Sequence, residues 1–242
     1  MATVLIAGAA SGLGKSFLNF FLQQSNVESI IAIDRNAVVD VTDSRLETYL
    51  VDISSPESIE NFAKVIGGTP IHLAIQSAGI RGLVPSVENE YPDEVARAET
   101  LEVMDMATMA KAFQINAIGT FLLIRAILKN LKLASKDGAR AKVVVMGSRM
   151  GSVSYNTAGG GYAYRASKAA LNAIMKSFSI DVPDVIFTTL HPGRVETGLV
   201  KCREAGAIEA DESIEDMMKV IDNLTNADSG RFYDRFGQDI GW

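Results

Sequence analysis

Short apolar runs and longer helical patterns alternate along the chain. The apolar runs are rich in β-forming residues and predict buried strands. They are Thr3–Ala7, Ser29–Ile33, Leu46–Val51, Ile71–Ile75, Lys142–Met146 and Val185–Leu190, with a short last strand at Gly230–Tyr233. The helical patterns include Pro56–Ile66, Lys111–Leu133, a stretch that begins near Tyr162, and Ser213–Leu224. Such alternation predicts an α/β fold: a doubly wound, mostly parallel seven-stranded sheet with helices on both faces.

A glycine-rich turn follows the first predicted strand. Its sequence is Gly8-Ala9-Ala10-Ser11-Gly12-Leu13-Gly14, and an apolar helical pattern then continues to about Gln24. A turn of this kind lets the backbone approach a pyrophosphate and places that anion at a helix N-terminus. The spacing is G-x-x-x-G-x-G, and a plain tight turn is the other interpretation. The flanking strand and helix favour a dinucleotide-binding loop.

An acidic residue ends the second predicted strand. Asp34 lies twenty residues after Gly14, about where a carboxylate that binds the adenosine ribose belongs. It would accept hydrogen bonds from the ribose hydroxyls and repel a 2′-phosphate, which favours NAD(H). Arg35 is a signal in the other direction, because an arginine there could pair with that phosphate. We therefore expect NAD(H) to be favoured, with NADP(H) as the alternative.

A serine, a tyrosine and a lysine form the candidate catalytic group. Ser148 follows the apolar run Lys142–Met146, and Tyr164 and Lys168 are four positions apart at the start of a helical stretch. Residues i and i+4 share one face of a helix. A nearby cation favours the phenolate, so Tyr164 could act as a general acid or base while Ser148 binds a carbonyl or alcohol oxygen. An ordinary surface helix pair is the alternative.

The composition restricts the classes of partner. The 242 residues fit one domain, 1–242, and the net charge of −6 argues against a nucleic-acid partner. Cys202 is the only cysteine, so no intrachain disulfide forms and a cytoplasmic protein is expected. His72 and His191 lack metal-ligand spacing, so no metal is expected. No apolar run approaches the ~20 residues that span a bilayer, so no membrane partner is expected either.

Together these motifs resemble the short-chain dehydrogenase/reductase family over essentially the whole chain. Asp52, followed by Ile53, matches the family's acid at the adenine. Gln76-Ser77-Ala78-Gly79 stands where the family has Asn-Asn-Ala-Gly. The resemblance identifies a catalytic tetrad of Asn116, Ser148, Tyr164 and Lys168. It also identifies a segment that holds the nicotinamide carboxamide, with Pro192, Gly193, Val195 and Thr197.

The resemblance implies a Rossmann-type fold and hydride transfer between a nicotinamide cofactor and a small alcohol or carbonyl substrate. In reduction, Tyr164 would donate the proton and Ser148 would bind the same oxygen. Lys168 would lower the pKa of Tyr164 and hold the nicotinamide ribose, and Asn116 would position a water for proton relay. The family also implies a homodimer or homotetramer.

Several segments resemble one subgroup of the family, the C-factor proteins and the sniffer-type carbonyl reductases. These segments are SRMGS, AYRASKAALN, LHPGRVET and SGRFYDRFGQDIGW. A signalling or regulatory protein that binds dinucleotide is therefore a second hypothesis. The substrate stays open, but we expect Met150, Tyr155 and Asn156 to line its pocket together with Ser148 and Tyr164.

Overall fold

The computed structural model describes residues 2–39, 41–136 and 140–242. Within these residues, seven strands form one sheet in the order β3-β2-β1-β4-β5-β6-β7, and every neighbouring pair is parallel. The strands are β1 (Ala2–Ala7), β2 (Val27–Asp34), β3 (Leu46–Leu50), β4 (Leu73–Gln76), β5 (Lys142–Met146), β6 (Ile186–His191) and β7 (Arg231–Asp234). The predicted doubly wound α/β fold is confirmed, and the sheet is parallel throughout.

Helices connect the strands across both faces of the sheet. They are α1 (Gly12–Leu22), α2 (Pro56–Ile66), α3 (Pro85–Glu90), α4 (Met106–Phe113), α5 (Thr120–Ala134), α6 (Tyr162–Asp181) and α7 (Ala210–Asn223). Helix α2 begins as its sequence predicts, because Pro56 occupies its first turn and the Ser55 hydroxyl accepts a 3.2 Å hydrogen bond from the Ser58 amide.

Two apolar layers enclose the sheet. Val4 and Ile6 of β1 face α1 and α7, while Leu5 and Ala7 face α2, α5 and α6. Successive side chains of a strand point to opposite faces, so a strand covered on both sides must be apolar at every position. This is why the central strands appear in the sequence as continuous apolar runs.

The helix that carries Asn116 is longer than the sequence predicts. The expected helix was Lys111–Leu133, but helical structure begins at Met106, where the Asp105 carboxylate accepts a 2.7 Å hydrogen bond from the Thr108 amide. A π-helical segment, Gln114–Gly119, then separates α4 from α5. The region 81–109 also holds the short helix α3 and a 3₁₀ turn at Val95–Glu99.

The combined helix Met106–Ala134 has 29 residues, and a window within it has a mean hydropathy of 1.3. By length and composition alone this helix could cross a membrane, whereas the apolar runs in the sequence predict no membrane-spanning segment. Leu123, Ile127 and Leu131 of this helix are buried against the sheet. It is therefore placed like the core helix of a globular domain.

Helix α6 begins at Tyr162, as predicted. The preceding Gly159, Gly160 and Gly161 have φ angles of 68°, 62° and 59°. Residues other than glycine rarely adopt this left-handed conformation, so the three glycines keep the helix from extending toward its N-terminus. The helix therefore presents Tyr164 within its first turn.

Candidate active site

A cavity of about 1130 Å³ opens at the carboxyl ends of the strands. The strand order reverses between β1 and β4, and in open parallel sheets ligands bind at such a point. The predicted cofactor residues all line this cavity. They are Gly8, Ser11, Gly12, Leu13, Gly14, Asp34, Arg35, Asp52, Ile53, Ser77, Ala78, Gly79, Tyr164, Lys168, Pro192, Gly193, Val195 and Thr197.

The glycine loop is packed too closely to hold side chains. Gly8 has a φ of 85°, and a Cβ there would lie 2.7 Å from the Ala78 amide nitrogen. A Cβ on Gly14 would overlap with the Gly8 carbonyl oxygen and lie 2.7 Å from Ser77 Oγ. The first turn of α1, Gly12-Leu13-Gly14-Lys15, carries no carboxylate. No side chain caps the start of this helix, so the amides of its first turn and its positive end suit a pyrophosphate.

Two carboxylates line the cavity at the ends of neighbouring strands: Asp34 ends β2, and Asp52 follows β3. Asp34 Oδ2 accepts a 3.0 Å hydrogen bond from the Ala10 amide, and its Oδ1 accepts one of 2.9 Å from Asn36. Asp34 thus ties the glycine loop to the end of β2. Asp52 accepts hydrogen bonds from the hydroxyl and amide of Ser54, which lower its pKa.

The end of β4 supports the glycine loop from the other side. The Ser77 hydroxyl donates a 2.7 Å hydrogen bond to the Ala7 carbonyl, and the Ser77 amide donates one of 3.0 Å to the same oxygen. Gln76 Nε2 donates a 2.8 Å bond to the Thr120 hydroxyl. The two residues that depart from the family's Asn-Asn-Ala-Gly pattern therefore satisfy local hydrogen bonds.

Ser148, Tyr164 and Lys168 face one cavity and are nearly buried. Burial raises the pKa of Tyr164, while the Arg81 guanidinium and the neighbouring Ser148 hydroxyl lower it. Burial also lowers the pKa of Lys168 from 10.5 to about 8. The Lys168 Nζ lies 5.7 Å from the centroid of the Tyr164 ring and donates a 2.7 Å hydrogen bond to the Met146 carbonyl.

Asn116 is completely buried within the π-helical segment. Its Oδ1 accepts a 2.8 Å hydrogen bond from the Ile80 amide. Its Nδ2 donates to the Ile80 carbonyl at 2.9 Å and to Ser167 Oγ at 3.0 Å. The side chain thus joins the loop after β4 to α6, and it does not itself line the cavity.

The turn after β6 closes the cavity on the side of the glycine loop. Gly193 has a φ of 91°, and a Cβ on Gly12 would lie 3.2 Å from Thr197 Cβ. Val195 pairs with Ile208 in a parallel bridge. The segment predicted to hold the nicotinamide is therefore fixed between the glycine loop and the loop that precedes α7.

The predicted substrate residues divide into two groups. Met150 and Tyr155 line the cavity together with Ser148 and Tyr164. Asn156 is not among the residues that line it. The Asn156 side chain is exposed and accepts a 3.0 Å hydrogen bond from the Gly159 amide, which stabilises the turn before α6.

The structure adds residues to the cavity wall that the sequence did not indicate. Arg81, Arg149, His191 and Glu204 all line it. Burial, with the positive charge of Arg149, lowers the pKa of His191 to about 4. Arg149 and His191 lie within segments that resemble the subgroup, but no periodicity or spacing assigns any of the four residues to the cavity. Each reaches the cavity from a different loop or strand end.

Comparison with known proteins agrees with this geometry. A family model described as short chain dehydrogenase matches residues 2–207. The C-signal of Myxococcus xanthus is 37% identical over 183 residues, which are 75% of this chain and 98% of that protein.

Two solved structures share the fold over the whole chain. The NADPH-bound carbonyl reductase from chicken fatty liver has a TM-score of 0.84 at 28% identity and covers 100% of this chain and 99% of its own. The carbonyl reductase Sniffer of D. melanogaster has a TM-score of 0.86 at 25% identity and covers 100% of both chains. The predicted resemblance to C-factor proteins and sniffer-type reductases is confirmed.

Proposed function

Because the chain belongs to the short-chain dehydrogenase family, we propose that it is an oxidoreductase that interconverts an alcohol and a carbonyl with a nicotinamide dinucleotide. One observation carries the proposal. Ser148, Tyr164 and Lys168 line the same cavity as the glycine loop Gly8–Gly14. A proton donor and a pyrophosphate-binding loop in one cavity are what hydride transfer to a carbonyl requires.

The cofactor-binding residues fit a dinucleotide by their shape and charge. The amides at the start of α1 would bind the pyrophosphate, and the close Gly8–Gly14 packing lets the backbone reach it. Thr197 and the Pro192-Gly193 turn would hold the nicotinamide end. When bound, the dinucleotide would supply the hydride acceptor for oxidation or the hydride donor for reduction.

The remaining chemistry belongs to side chains of this protein. In reduction, Tyr164 would give its hydroxyl proton to the substrate oxygen, and the Ser148 hydroxyl would donate a hydrogen bond to that oxygen. In oxidation, the Tyr164 phenolate would accept the alcohol proton. Lys168 would replace the proton on Tyr164, and Asn116 would keep the helix that carries both residues in register with the loop after β4.

We propose that NAD(H) is favoured over NADP(H). The Asp34 carboxylate stands at the end of β2, anchored by the Ala10 amide, and would repel a 2′-phosphate. Arg35 lines the same part of the cavity and could pair with that phosphate. The chicken carbonyl reductase was solved with NADPH. The choice of cofactor is therefore a specific test of Asp34.

The test of the proposed function is substitution of the two tyrosines at the start of α6. Turnover of a panel of aldehydes and ketones is followed by the absorbance of the reduced cofactor, and cofactor binding by calorimetry. Tyr164→Phe should lower kcat by at least about 100-fold, the usual contribution of a general acid, with cofactor binding retained. Tyr162→Phe, a more exposed change on the same turn, is the control. Turnover of Tyr164→Phe within a few-fold of the unchanged protein would falsify the proposal.

A dinucleotide-binding signalling protein is the second candidate, because the C-signal of Myxococcus xanthus is a relative. Under this proposal the tetrad is dispensable for the cellular effect. A Tyr164→Phe protein that still folds and binds cofactor but loses its cellular effect would count against it. We further propose that the protein is cytoplasmic and forms a homodimer or homotetramer. Light scattering of the purified chain would test the oligomeric state.

A further inference from the structure

We propose that Arg81, held in place by Glu99, is a positioning residue that orients the Tyr164 side chain and favours its deprotonated form. This inference rests on the proposed function, in which Tyr164 exchanges a proton with the substrate. Neither Arg81 nor Glu99 belongs to the tetrad of Asn116, Ser148, Tyr164 and Lys168.

Arg81 and Glu99 form a two-point ion pair. Arg81 Nε lies 2.8 Å from Glu99 Oε2, and Arg81 Nη2 lies 2.8 Å from Glu99 Oε1. The side chains are only 12% and 11% exposed. Removing two charges from water costs free energy that a buried ion pair often does not recover, so such a pair is weak evidence for a stabilising role. The planar guanidinium is, however, fixed in one orientation by this contact.

That orientation places the guanidinium over the ring of Tyr164. The Arg81 Cζ lies 5.0 Å from the ring centroid, and the Lys168 Nζ lies 5.7 Å from it. Lys168 also donates a hydrogen bond to the Met146 carbonyl. Arg81 is thus the nearer of these two cations to the ring, and its contact restricts where the ring can move.

The charges around Tyr164 support the same role. Burial raises the pKa of Tyr164, and Arg81 is the cation that lowers it, with help from the Ser148 hydroxyl. The carboxylates of Glu99 and Glu204 act in the opposite direction. Arg81 therefore opposes both the burial and the nearby negative charge, and its removal should leave the phenolate less stable.

Glu99 also holds the start of the helix that carries Tyr164. Its carbonyl oxygen accepts a 2.9 Å hydrogen bond from the Gly161 amide, directly before α6. One residue thus binds Arg81 through its side chain and the beginning of α6 through its backbone. Glu99 therefore fixes the position of Arg81 relative to the first turn of α6, which carries Tyr164.

The experiment compares Arg81→Gln with Arg81→Lys and a matched control. Arg97 stacks on Tyr91 at 4.5 Å and pairs with Glu94 at 2.6 Å, but this group is exposed and away from the cavity. Arg97→Gln is therefore the control for removing a stacked, paired arginine. Two properties are measured in the presence of cofactor: the pH profile of kcat/KM for alcohol oxidation, and the ultraviolet titration of Tyr164. The titration of Tyr164 is obtained as the difference between the absorbance of each protein and that of its Tyr164→Phe variant, and it does not depend on turnover.

Arg81→Gln should move both midpoints toward alkaline pH by about one unit, the lower end of the effect of a neighbouring charge. At neutral pH its kcat/KM should fall by about tenfold. Arg81→Lys keeps the charge and should retain a midpoint near that of the unchanged protein, and Arg97→Gln should change neither property. If Arg81→Gln does not fold, the double variant Arg81→Met/Glu99→Gln, which removes both buried charges, takes its place. It should still shift both midpoints toward alkaline pH, because Arg81 affects the pKa of Tyr164 more strongly than Glu99 does.

An Arg81→Gln protein whose Tyr164 titrates at the original pH would overturn the proposal, even if activity is lost, because the arginine would then be structural only. In the case where Arg81→Gln does not fold, an Arg81→Met/Glu99→Gln protein with the original midpoint would also overturn it. Failure of the proposed function is a separate outcome. It appears as turnover that survives Tyr164→Phe, whereas the ultraviolet titration reports on Arg81 in either case.

Discussion

The Nζ atom of Lys168 donates a 2.7 Å hydrogen bond to the carbonyl oxygen of Met146. Met146 ends β5, two residues before Ser148, so this bond ties the first turns of α6 to the strand end that carries the serine. The lysine is 5% exposed. Burial removes water from the ammonium group, which costs free energy unless a hydrogen-bond partner such as this carbonyl replaces the water.

We predict that Lys168 makes the free energy of unfolding increase with pH in the cofactor-free protein. Burial lowers the pKa of the folded-state lysine to about 8, below its ordinary 10.5. Between these two values the unfolded chain binds more protons, so the contribution of Lys168 to stability rises with pH in this window. At pH values below this window, Lys168 is charged in both the folded and the unfolded protein, so the full cost of burying its charge lowers the free energy of unfolding.

The measurement is urea unfolding of Lys168→Met and of the unchanged protein across this pH range. The stability advantage of Lys168→Met should shrink as pH rises. Lys176→Met, an exposed change on the same helix, is the control and should give a difference that is independent of pH. A constant difference for Lys168→Met would show that the lysine does not titrate in this window.

A change at Asp34 should alter the choice of cofactor. Asp34→Ala removes the carboxylate that would repel a 2′-phosphate, while Arg35 remains. The affinity ratio of NADPH to NADH should rise by about tenfold, or 1.4 kcal/mol. Calorimetric titration at fixed salt measures the ratio, and Arg35→Gln should move it in the opposite direction. An unchanged ratio in Asp34→Ala would remove Asp34 from the selection of cofactor.

A methyl group at Gly14 should disrupt the glycine loop. The Cβ of Gly14→Ala would overlap with the Gly8 carbonyl, so the loop and α1 must shift. We expect a loss of stability of about 1–3 kcal/mol, typical of overpacking, and a weakened affinity for cofactor. Gly68→Ala is the control, because among the described residues nothing lies within 4 Å of its Cβ. Equal behaviour of the two variants in thermal unfolding and cofactor titration would contradict the prediction.

Asn116→Ala should reduce both stability and turnover. The side chain makes three hydrogen bonds in a buried position, and leaving their partners unpaired costs about 1–3 kcal/mol. Asn130 is also buried and donates to the carbonyls of Gly67 and Thr69, far from the cavity. Asn130→Ala should therefore lose stability but keep kcat. Comparable kcat in the two variants would assign Asn116 a structural role only.

The sequence by itself determined the class of fold and the parts of the site that are local. Continuous apolar runs identify strands that are covered on both faces, since such strands cannot tolerate alternating polar residues. The four-residue spacing of Tyr164 and Lys168 places both on one face of α6, because helix geometry is the same in every protein. The glycines of the Gly8–Gly14 loop follow this logic only in part. The contact of Gly14 with the Gly8 carbonyl is local, whereas Ala78 and Thr197 restrict Gly8 and Gly12 from distant parts of the chain.

Only the tertiary structure decided which distant residues surround Tyr164. Arg81 and Glu99 are eighteen positions apart in a region without periodicity, and they meet Tyr164 because β4, the 3₁₀ turn and α6 pack together. Asn156 is close to Tyr164 in sequence but turns away into solvent, where it stabilises a local turn instead. Local spacing is set by backbone geometry. Contacts between loops depend on how whole elements pack, and no short segment contains that information.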